Sequence, residues 1–281
     1  MSNPFIDTAF KDIKSRTDNL VLRADEKTYR KILTFLDLTT LNVKDTDNSV
    51  ADMIEKVNNF TYLFPDLQNV AAVCIYPRFV PLVREFLKIE KVKIASVGAC
   101  FPSSQSYTRI KAEECRLAVA AGADEIDMVL SVGDFLSGNI SYAESEIKAV
   151  KEASGKAHLK VILETGLMES PALIYEASML SMHAGADFIK TSTGKSPVSA
   201  TPEAAWVMCT AARDYFSATG RKVGFKPAGG ISTTDEATIY FAIVETILGH
   251  EWLSPGLFRI GARRLANNLL CSIEGREVKY F

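Results

Sequence analysis

The stretch Ala184-Gly-Ala-Asp-Phe-Ile-Lys190 decides how the rest of the chain is interpreted. It places a glycine, which tolerates the left-handed conformation at a helix end, directly before a short apolar segment typical of a strand. The stretch Ala121-Gly-Ala-Asp124 repeats this pattern, and the two glycines are separated by the length of two strand–helix units. The sequence therefore predicts repeated βα units around a parallel sheet.

Short apolar segments rich in Val, Ile and Phe recur along the whole chain, separated by amphipathic stretches. The candidate strands are Ile32–Leu38, Val70–Tyr76, Val92–Val97, Glu125–Leu130, His158–Glu164, Ala186–Lys190, Lys222–Lys226 and Leu257–Ile260. Eight strand–helix units in one run predict an α/β fold, a single (β/α)8 TIM barrel. A doubly wound open sheet is the alternative, but the segment Asp37–Asn42 lacks the glycine-rich turn that such sheets usually carry after the first strand.

Signals for helix ends fall between the candidate strands. Ser170-Pro171 and Thr201-Pro202 each predict an N-cap followed by a proline in the first turn, and Ser141-Tyr-Ala-Glu144 reads as a capping box. No linker rich in Pro, Gly or Ser interrupts the chain. We therefore expect one domain over residues 1–281, with a helical extension at 1–30, the barrel at 31–265, and a C-terminal helix and tail at 266–281.

The composition is that of an ordinary globular protein. Of 281 residues, 47% are hydrophobic and 23% charged, and 32 basic against 34 acidic residues give a net charge of −2. These values exclude disordered and disulfide-scaffold classes and leave no electrostatic attraction to nucleic acid. No apolar run approaches the ~20 residues of a membrane span, and no secretory signal is apparent, so we expect a cytoplasmic protein. The five cysteines form no CxxC pair, which predicts reduced thiols and no zinc site.

Charged residues stand near the carboxyl ends of four candidate strands. Because side chains alternate along a strand, Asp37, Asp127, Lys190 and Lys226 fall on the faces that point into the barrel, at the end where TIM barrels carry their active sites. A second ammonium close by disfavours the charged form of a lysine, and so does burial, which would leave one amine nucleophilic. This is the chemistry of a Schiff-base enzyme. Spacing alone equally allows a structural ion pair with Asp127 or Glu164.

Glycine-bearing segments follow the last three strands. They are Thr193-Gly194-Lys195, Ala228-Gly229-Gly230 and Gly261-Ala-Arg-Arg264. In barrels, the loops after strands seven and eight often bind phosphate through backbone amides and a helix N-terminus. A plain tight turn is the commoner use of paired glycines.

Taken together, several segments resemble deoxyribose-phosphate aldolase, a class I aldolase family on a (β/α)8 barrel. The segments run in order over roughly residues 30 to 265: Leu36-Asp-Leu-Thr-Thr-Leu-Asn42, Val73-Cys-Ile-Tyr-Pro77, Gly122-Ala-Asp-Glu-Ile-Asp127, Lys160-Val-Ile-Leu-Glu-Thr-Gly166, Gly185-Ala-Asp-Phe-Ile-Lys-Thr-Ser-Thr-Gly-Lys195, Gly224-Phe-Lys-Pro-Ala-Gly-Gly230 and Phe258-Arg-Ile-Gly261. Any one of them could arise by chance, but the ordered set could not.

The resemblance implies reversible cleavage of 2-deoxy-D-ribose 5-phosphate to D-glyceraldehyde 3-phosphate and acetaldehyde, in deoxynucleoside catabolism. Lys190 matches the Schiff-base lysine, Lys226 the second lysine that assists it, and Asp127 the carboxylate that moves protons with ordered water. The partners would be a phosphosugar and aldehydes, with neither nucleic acid nor membrane, and no metal or other cofactor is implied. We expect a homo-oligomer, most simply a dimer.

The resemblance also implies a set of substrate-binding positions. Asp37 and Thr39 match residues near the substrate, and we expect Cys74 beside them inside the barrel. The remaining positions match the region that holds hydroxyls and phosphate: Thr193, Gly194, Lys195, Gly229, Gly230 and Gly261.

The chain departs from the family pattern around the implied phosphate site. Ser232 stands where the family commonly has arginine, and Arg263 and Arg264 stand where it commonly has small hydroxyl residues. Our hypothesis is that Arg263 or Arg264 supplies the phosphate charge, since a guanidinium binds phosphate bidentately. The alternatives are a Schiff-base aldolase for another phosphorylated sugar and a non-catalytic phosphosugar-binding barrel. Tyr280 resembles the near-terminal tyrosine of some family members, whose tail can reach the site.

Overall fold

The computed structural model describes residues 15, 18, 19 and 21–281, and over that part of the chain strands and helices alternate. The strands are β1 (Leu36–Thr39), β2 (Ala72–Ile75), β3 (Lys93–Gly98), β4 (Glu125–Val129), β5 (His158–Ile162), β6 (Phe188–Lys190), β7 (Gly224–Lys226) and β8 (Ile260–Ala262). The helices are α1 (Glu26–Leu33), α2 (Asp47–Leu63), α3 (Val80–Phe86), α4 (Thr108–Ala120), α5 (Val132–Leu136), α6 (Ile140–Ala153), α7 (Pro171–His183), α8 (Pro202–Thr219), α9 (Thr234–Leu248) and α10 (Arg264–Glu274).

The eight strands form one parallel sheet that closes on itself. Its order is β7-β6-β5-β4-β3-β2-β1-β8, and parallel bridges from Phe225 to Phe258 and from Ala228 to Gly261 join the two ends. The predicted (β/α)8 barrel is therefore confirmed. Closure leaves no free sheet edge and brings the carboxyl ends of all eight strands to one mouth.

Local sequence explains several helix boundaries. The side chains of Ser170 and Thr201 accept backbone hydrogen bonds at the starts of α7 and α8, as predicted. The predicted capping box at Ser141–Glu144 is wrong, because α6 already begins at Ile140, after Asn139, with no side-chain cap. A capping box forms instead at Thr233, where Glu236 reciprocates, and this fixes the helix that follows β7.

Two predicted strands are displaced. Ile32 and Leu33 belong to the buried face of α1, so β1 begins only at Leu36. Near the last strand, Ser254 O accepts hydrogen bonds from the backbone N–H groups of Leu257 and Phe258. This turn delays β8 to Ile260, although the apolar pattern placed it at Leu257–Ile260. Residues 1–14, 16, 17 and 20 of the helical extension predicted over 1–30 lie outside the described residues.

The inside of the barrel is mixed in character. Phe188 fills the space beside Gly224, where a Cβ would collide with its ring. The guanidinium of Arg259 lies 5.9 Å from the centroid of the same ring. Nearer the mouth, charged side chains replace apolar ones, while the large apolar core lies between the strands and the surrounding helices.

The C-terminal tail packs on the outside of the barrel. The rings of Tyr280 and Phe281 contact Phe60 of α2, at 5.9 and 5.5 Å between centroids. The Tyr280 hydroxyl donates to the Lys56 carbonyl, and Asn267 of α10 accepts from both terminal backbone N–H groups. Tyr280 therefore does not reach the mouth of the barrel in this structure. Among the described helices, none is both long and apolar enough to cross a bilayer.

Candidate active site

The register of the sheet brings the two lysines and Asp127 together. Lys190 is the direct Cα partner of Lys226 across β6 and β7. Asp127 is the partner of Lys160 across β4 and β5. Since these residues share the inward face, their side chains converge on the barrel axis.

Asp127 is the centre of the cluster. Its Oδ2 accepts from Lys190 Nζ at 2.8 Å and from Lys226 Nζ at 2.7 Å, and its Oδ1 accepts from Lys160 Nζ at 2.8 Å. The carboxylate is fully buried, whereas Lys190 retains 3% exposure. Two ammonium groups thus lie within hydrogen-bond reach of one oxygen.

A second tier of charges supports the first from below. Lys160 also pairs with Glu125, at 2.6 Å, and Lys226 pairs with Asp37. Arg259 links the two carboxylates of this second tier because its guanidinium donates to Asp37 at 2.6 Å and to Glu125 at 2.7 Å. The result is a continuous buried column of ion pairs that runs from the mouth down the barrel.

The column fixes the protonation of most of its members. Burial alone would raise the pKa of Asp127, but Lys160, Lys190 and Lys226 outweigh it and hold that pKa well below its usual range. Burial likewise opposes the charge of Lys226, yet Asp127 and Asp37 outweigh it and raise the pKa of this lysine. The Lys226 amine therefore stays protonated at neutral pH. Burial raises the pKa of the Cys74 thiol, which lies 3.9 Å from Asp127 Oδ2, so the thiol stays protonated.

A cleft of about 600 Å³ opens above the column at the carboxyl ends of the strands. Of the column, only Lys190 reaches its wall. The lining includes nine further positions that the sequence marked: Thr39, Thr193, Gly194, Lys195, Gly229, Gly230, Gly261, Arg263 and Arg264. Asp37, Cys74, Asp127 and Lys226 lie beneath the cleft floor, inside the barrel.

The glycines allow two loops to meet in this cleft. Gly194 and Gly229 have φ values of 75° and 87°, a conformation that side chains rarely adopt. A Cβ on Gly229 would lie 2.6 Å from the Ser199 hydroxyl oxygen and 3.0 Å from Gly194 Cα. The backbones after β6 and β7 therefore approach more closely than any larger residue permits.

The cleft is strongly positive. Lys190, Lys195, Arg263 and Arg264 line it, and no Asp or Glu is among its described lining residues. Lys195 donates to the Leu41 carbonyl at 2.5 Å, and Arg263 donates to the Thr40 hydroxyl at 3.1 Å. Among the described residues neither Lys195 nor Arg263 forms an ion pair, so their cationic charge suits an anionic ligand.

Ser232 lines the cleft, and its backbone is held by side chains of α9 and α10. Its backbone N–H donates to Glu236 at 2.8 Å, and its carbonyl accepts from Asn268. No cationic side chain stands at this position, and the arginines at 263 and 264 lie on the neighbouring wall, where β8 passes into α10.

Sequence reasoning missed three members of the column. Lys160, Arg259 and Glu125 were assigned no role from the sequence. The signal was available for Lys160, because a charged residue flanked by apolar ones on a strand must face inward to a partner. The same signal was available for Arg259, which stands between Phe258 and Ile260 inside the predicted strand. Among the described residues, no group of three or more His, Cys, Asp or Glu could hold a metal ion.

Comparison with known proteins gives one consistent result. The model of the family described as "DeoC/LacD family aldolase" matches residues 31–247. A Caenorhabditis elegans protein named "Putative deoxyribose-phosphate aldolase" is 46% identical over 243 residues, covering 86% of this chain and 80% of the relative.

Solved structures agree in fold. A structure titled "putative deoxyribose-phosphate aldolase" from Coccidioides immitis has a TM-score of 0.72 at 26% identity, covering 85% of each chain. A deoxyribose phosphate aldolase from Aeropyrum pernix, described in its title as tetrameric, has a TM-score of 0.70 at 22% identity, covering 92% of this chain and 97% of that one. At 22% identity this second likeness concerns the fold alone.

Proposed function

Because this chain belongs to the DeoC/LacD family of aldolases, a family of carbon–carbon lyases, we propose that it cleaves 2-deoxy-D-ribose 5-phosphate reversibly to D-glyceraldehyde 3-phosphate and acetaldehyde. The observation that carries the proposal is the position of Lys190. Its amine is the one member of the described charged column that reaches the positive cleft. The relatives named for this substrate support the choice of sugar.

The first steps use Lys190 as a nucleophile. Its neutral amine attacks the aldehyde carbon, carbon one, of the open-chain sugar, and loss of water leaves a protonated imine. The positive nitrogen then accepts the electron pair of the carbon two–carbon three bond as that bond breaks, while the carbon three hydroxyl gives up its proton. This releases the phosphorylated aldehyde and leaves an enamine on Lys190.

The remaining steps return a proton to carbon two. Protonation of the enamine there gives the imine of acetaldehyde, which water hydrolyses. Asp127 is the group that we assign to proton movement, acting with water, because its Oδ2 already accepts from Lys190. Lys226 keeps its charge and thereby disfavours a second ammonium at the same oxygen. We propose that no metal or other cofactor takes part, since the imine itself is the electron sink.

The cationic wall of the cleft would bind the phosphate. We assign this role to Arg263 or Arg264, with Lys195 and the backbone of Thr193, Gly194, Gly229, Gly230 and Gly261 holding phosphate and hydroxyls. Asp37, Thr39 and Cys74 would bound the reacting end of the sugar. Five free cysteines support a reducing compartment such as the cytoplasm. We also propose a homo-oligomer, most simply a dimer.

Trapping of the imine tests the chemistry. The protein is incubated with acetaldehyde and reduced with borohydride, and the adduct is located by peptide mass mapping. We expect a two-carbon adduct on Lys190 that is absent in Lys190→Ala and persists in Lys195→Ala, whose ammonium lines the same cleft. An adduct on Lys226 would exchange the roles of the two lysines. No adduct on either lysine of folded protein would leave a non-catalytic phosphosugar-binding barrel.

The arginines at the cleft favour one further candidate, a Schiff-base aldolase for another phosphorylated sugar. Arg263→Ala and Arg264→Ala distinguish the two through paired kinetics with deoxyribose 5-phosphate and deoxyribose. Loss of a charge-assisted phosphate contact, worth about 1.5–3 kcal/mol, raises KM for the phosphorylated sugar about 10- to 100-fold and leaves that for deoxyribose unchanged. An equal rise in KM for both sugars would show that the substituted arginine does not bind the phosphate. A faster reaction with another phosphosugar in the wild type would favour the second candidate.

A further inference from the structure

The buried column beneath the cleft contains more basic than acidic groups. Its basic members are Lys160, Lys190, Lys226 and Arg259, and its acidic members are Asp37, Glu125 and Asp127. With every group ionised, one positive charge has no carboxylate to match it. Burial makes such an excess costly, so the column favours the loss of one proton.

The contacts of each basic group indicate which one loses the proton. Lys160 bridges Asp127 and Glu125, and Lys226 bridges Asp127 and Asp37. A guanidinium such as that of Arg259 does not deprotonate in proteins. Among the described residues, Lys190 contacts one carboxylate, that of Asp127, and shares its oxygen with Lys226. Lys190 is therefore the least stabilised cation of the column, and it is the one that reaches the cleft.

We propose that Lys160, Glu125 and Arg259, none of which reaches the cleft, are positioning residues that set the pH at which Lys190 becomes nucleophilic. They act through the balance of buried charge, by occupying the carboxylates so that Lys190 is left as the unmatched cation. The proposal rests on the Schiff-base function proposed above and extends it to residues deeper in the barrel.

The other walls around Lys190 carry little charge that could replace this balance. β2 and β3 face the interior with Ala72, Ala95, Val97 and Cys74, and burial keeps the Cys74 thiol protonated. Glu164, after β5, accepts from the backbone N–H and hydroxyl of Thr193 at the cleft side. Lys195 and the arginines at the mouth are common to every variant below, as is Glu164. Because these groups are present in every variant, they do not change the direction in which each substitution shifts the pH dependence of Lys190.

The test changes the charge count by one in each direction. Lys160→Met leaves three cations and three carboxylates, so the Lys190 ammonium becomes a required partner and holds its proton to higher pH. Glu125→Gln leaves four cations and two carboxylates, so Lys190 releases its proton at lower pH. The double variant has three cations and two carboxylates and restores an excess of one.

The measurement is the rate of imine formation with acetaldehyde as a function of pH, with aliquots quenched by borohydride in one common buffer. The midpoint is the pH at which the rate of imine formation reaches half of its maximum. At an effective dielectric constant of about 20, removal of one nearby charge shifts this midpoint by about one pH unit or more. We expect an upward shift in Lys160→Met, a downward shift in Glu125→Gln, and a midpoint within about 0.3 unit of wild type in the double variant.

A matched control separates charge balance from loss of stability. Lys111 and Glu146 form an equally buried ion pair between α4 and α6, outside the barrel interior. Lys111→Met is expected to lower the melting temperature without moving the midpoint.

The outcomes separate the two proposals. Absence of an adduct in the wild type overturns the Schiff-base function itself. An adduct on Lys190 with midpoints that do not move, or that move the same way in both single variants, overturns the charge-balance proposal alone. If a single variant fails to fold, the double variant decides the matter, because a midpoint displaced by about one unit there contradicts restored balance.

Discussion

Replacement of Asp127 by asparagine tests whether the buried column is held together by charge. Asp127 accepts from three ammonium groups, and its removal leaves Lys190 and Lys226 facing an amide that cannot balance them. Removing one partner from a buried ion pair costs about 3–5 kcal/mol, because the remaining charge is left unpaired. For a chain of this size each kcal/mol lowers Tm by roughly 2–4 °C, so we expect Asp127→Asn to melt on the order of 10 °C below wild type at pH 7.

The loss should depend on pH in a defined direction. An ammonium that has lost its anion gives up its proton more readily in the folded than in the unfolded chain. The destabilisation is therefore largest at neutral pH and shrinks as the pH rises towards about 10.4, where the unfolded lysines also lose their protons. Thermal unfolding followed by far-UV circular dichroism at pH 7 and pH 10 measures both effects.

The control is an exposed ion pair. Glu113 accepts from Arg116 on the surface of α4, and Glu113→Gln should leave Tm unchanged within error. The reasoning is refuted if Asp127→Asn melts with the wild type at pH 7. It is also refuted if the loss is the same at pH 7 and pH 10, since that result would indicate lost packing rather than unpaired charge.

Three further predictions follow from other parts of the structure. The pKa values of Asp37 and Asp127 are lowered in the folded protein, which stabilises the fold above the unfolded pKa of about 3.9. This contribution is lost as the pH falls below that value, so unfolding monitored from pH 7 to pH 2 should begin near pH 4. Full stability at pH 2 would contradict this. Gly224→Ala forces a Cβ against the Phe188 ring and should lower the free energy of unfolding by about 1–3 kcal/mol, measured by urea unfolding. Gly256→Ala, at an open surface position, should leave it unchanged. Deletion of Tyr280 and the residue after it should lower Tm but leave KM for the phosphorylated sugar unchanged, because the tail packs against helices; a rise in KM would show that the tail reaches the cleft.

The sequence by itself predicted the barrel and the charged residues that converge inside it. Apolar segments at regular intervals, with glycines and N-caps between them, gave strands whose alternation placed Lys190, Lys226 and Asp127 on one inward face. This prediction depended only on the two-residue period of a strand and on the common mouth of a closed parallel sheet. The glycine-bearing segments after the last three predicted strands also indicated which residues would line the cleft.

Only the tertiary structure decided how these charges are shared. The pairing of Lys160 with Asp127, and of Arg259 with Asp37 and Glu125, joins residues far apart in sequence, and no local pattern specifies such contacts. The turn at Ser254, formed by backbone hydrogen bonds, delays the start of β8 to Ile260, so Arg259 precedes the strand instead of lying within it. The two lysines look alike in sequence. Lys226 is buried against two carboxylates, whereas Lys190 contacts one carboxylate and reaches the cleft, and this difference is why we propose Lys190 as the nucleophile.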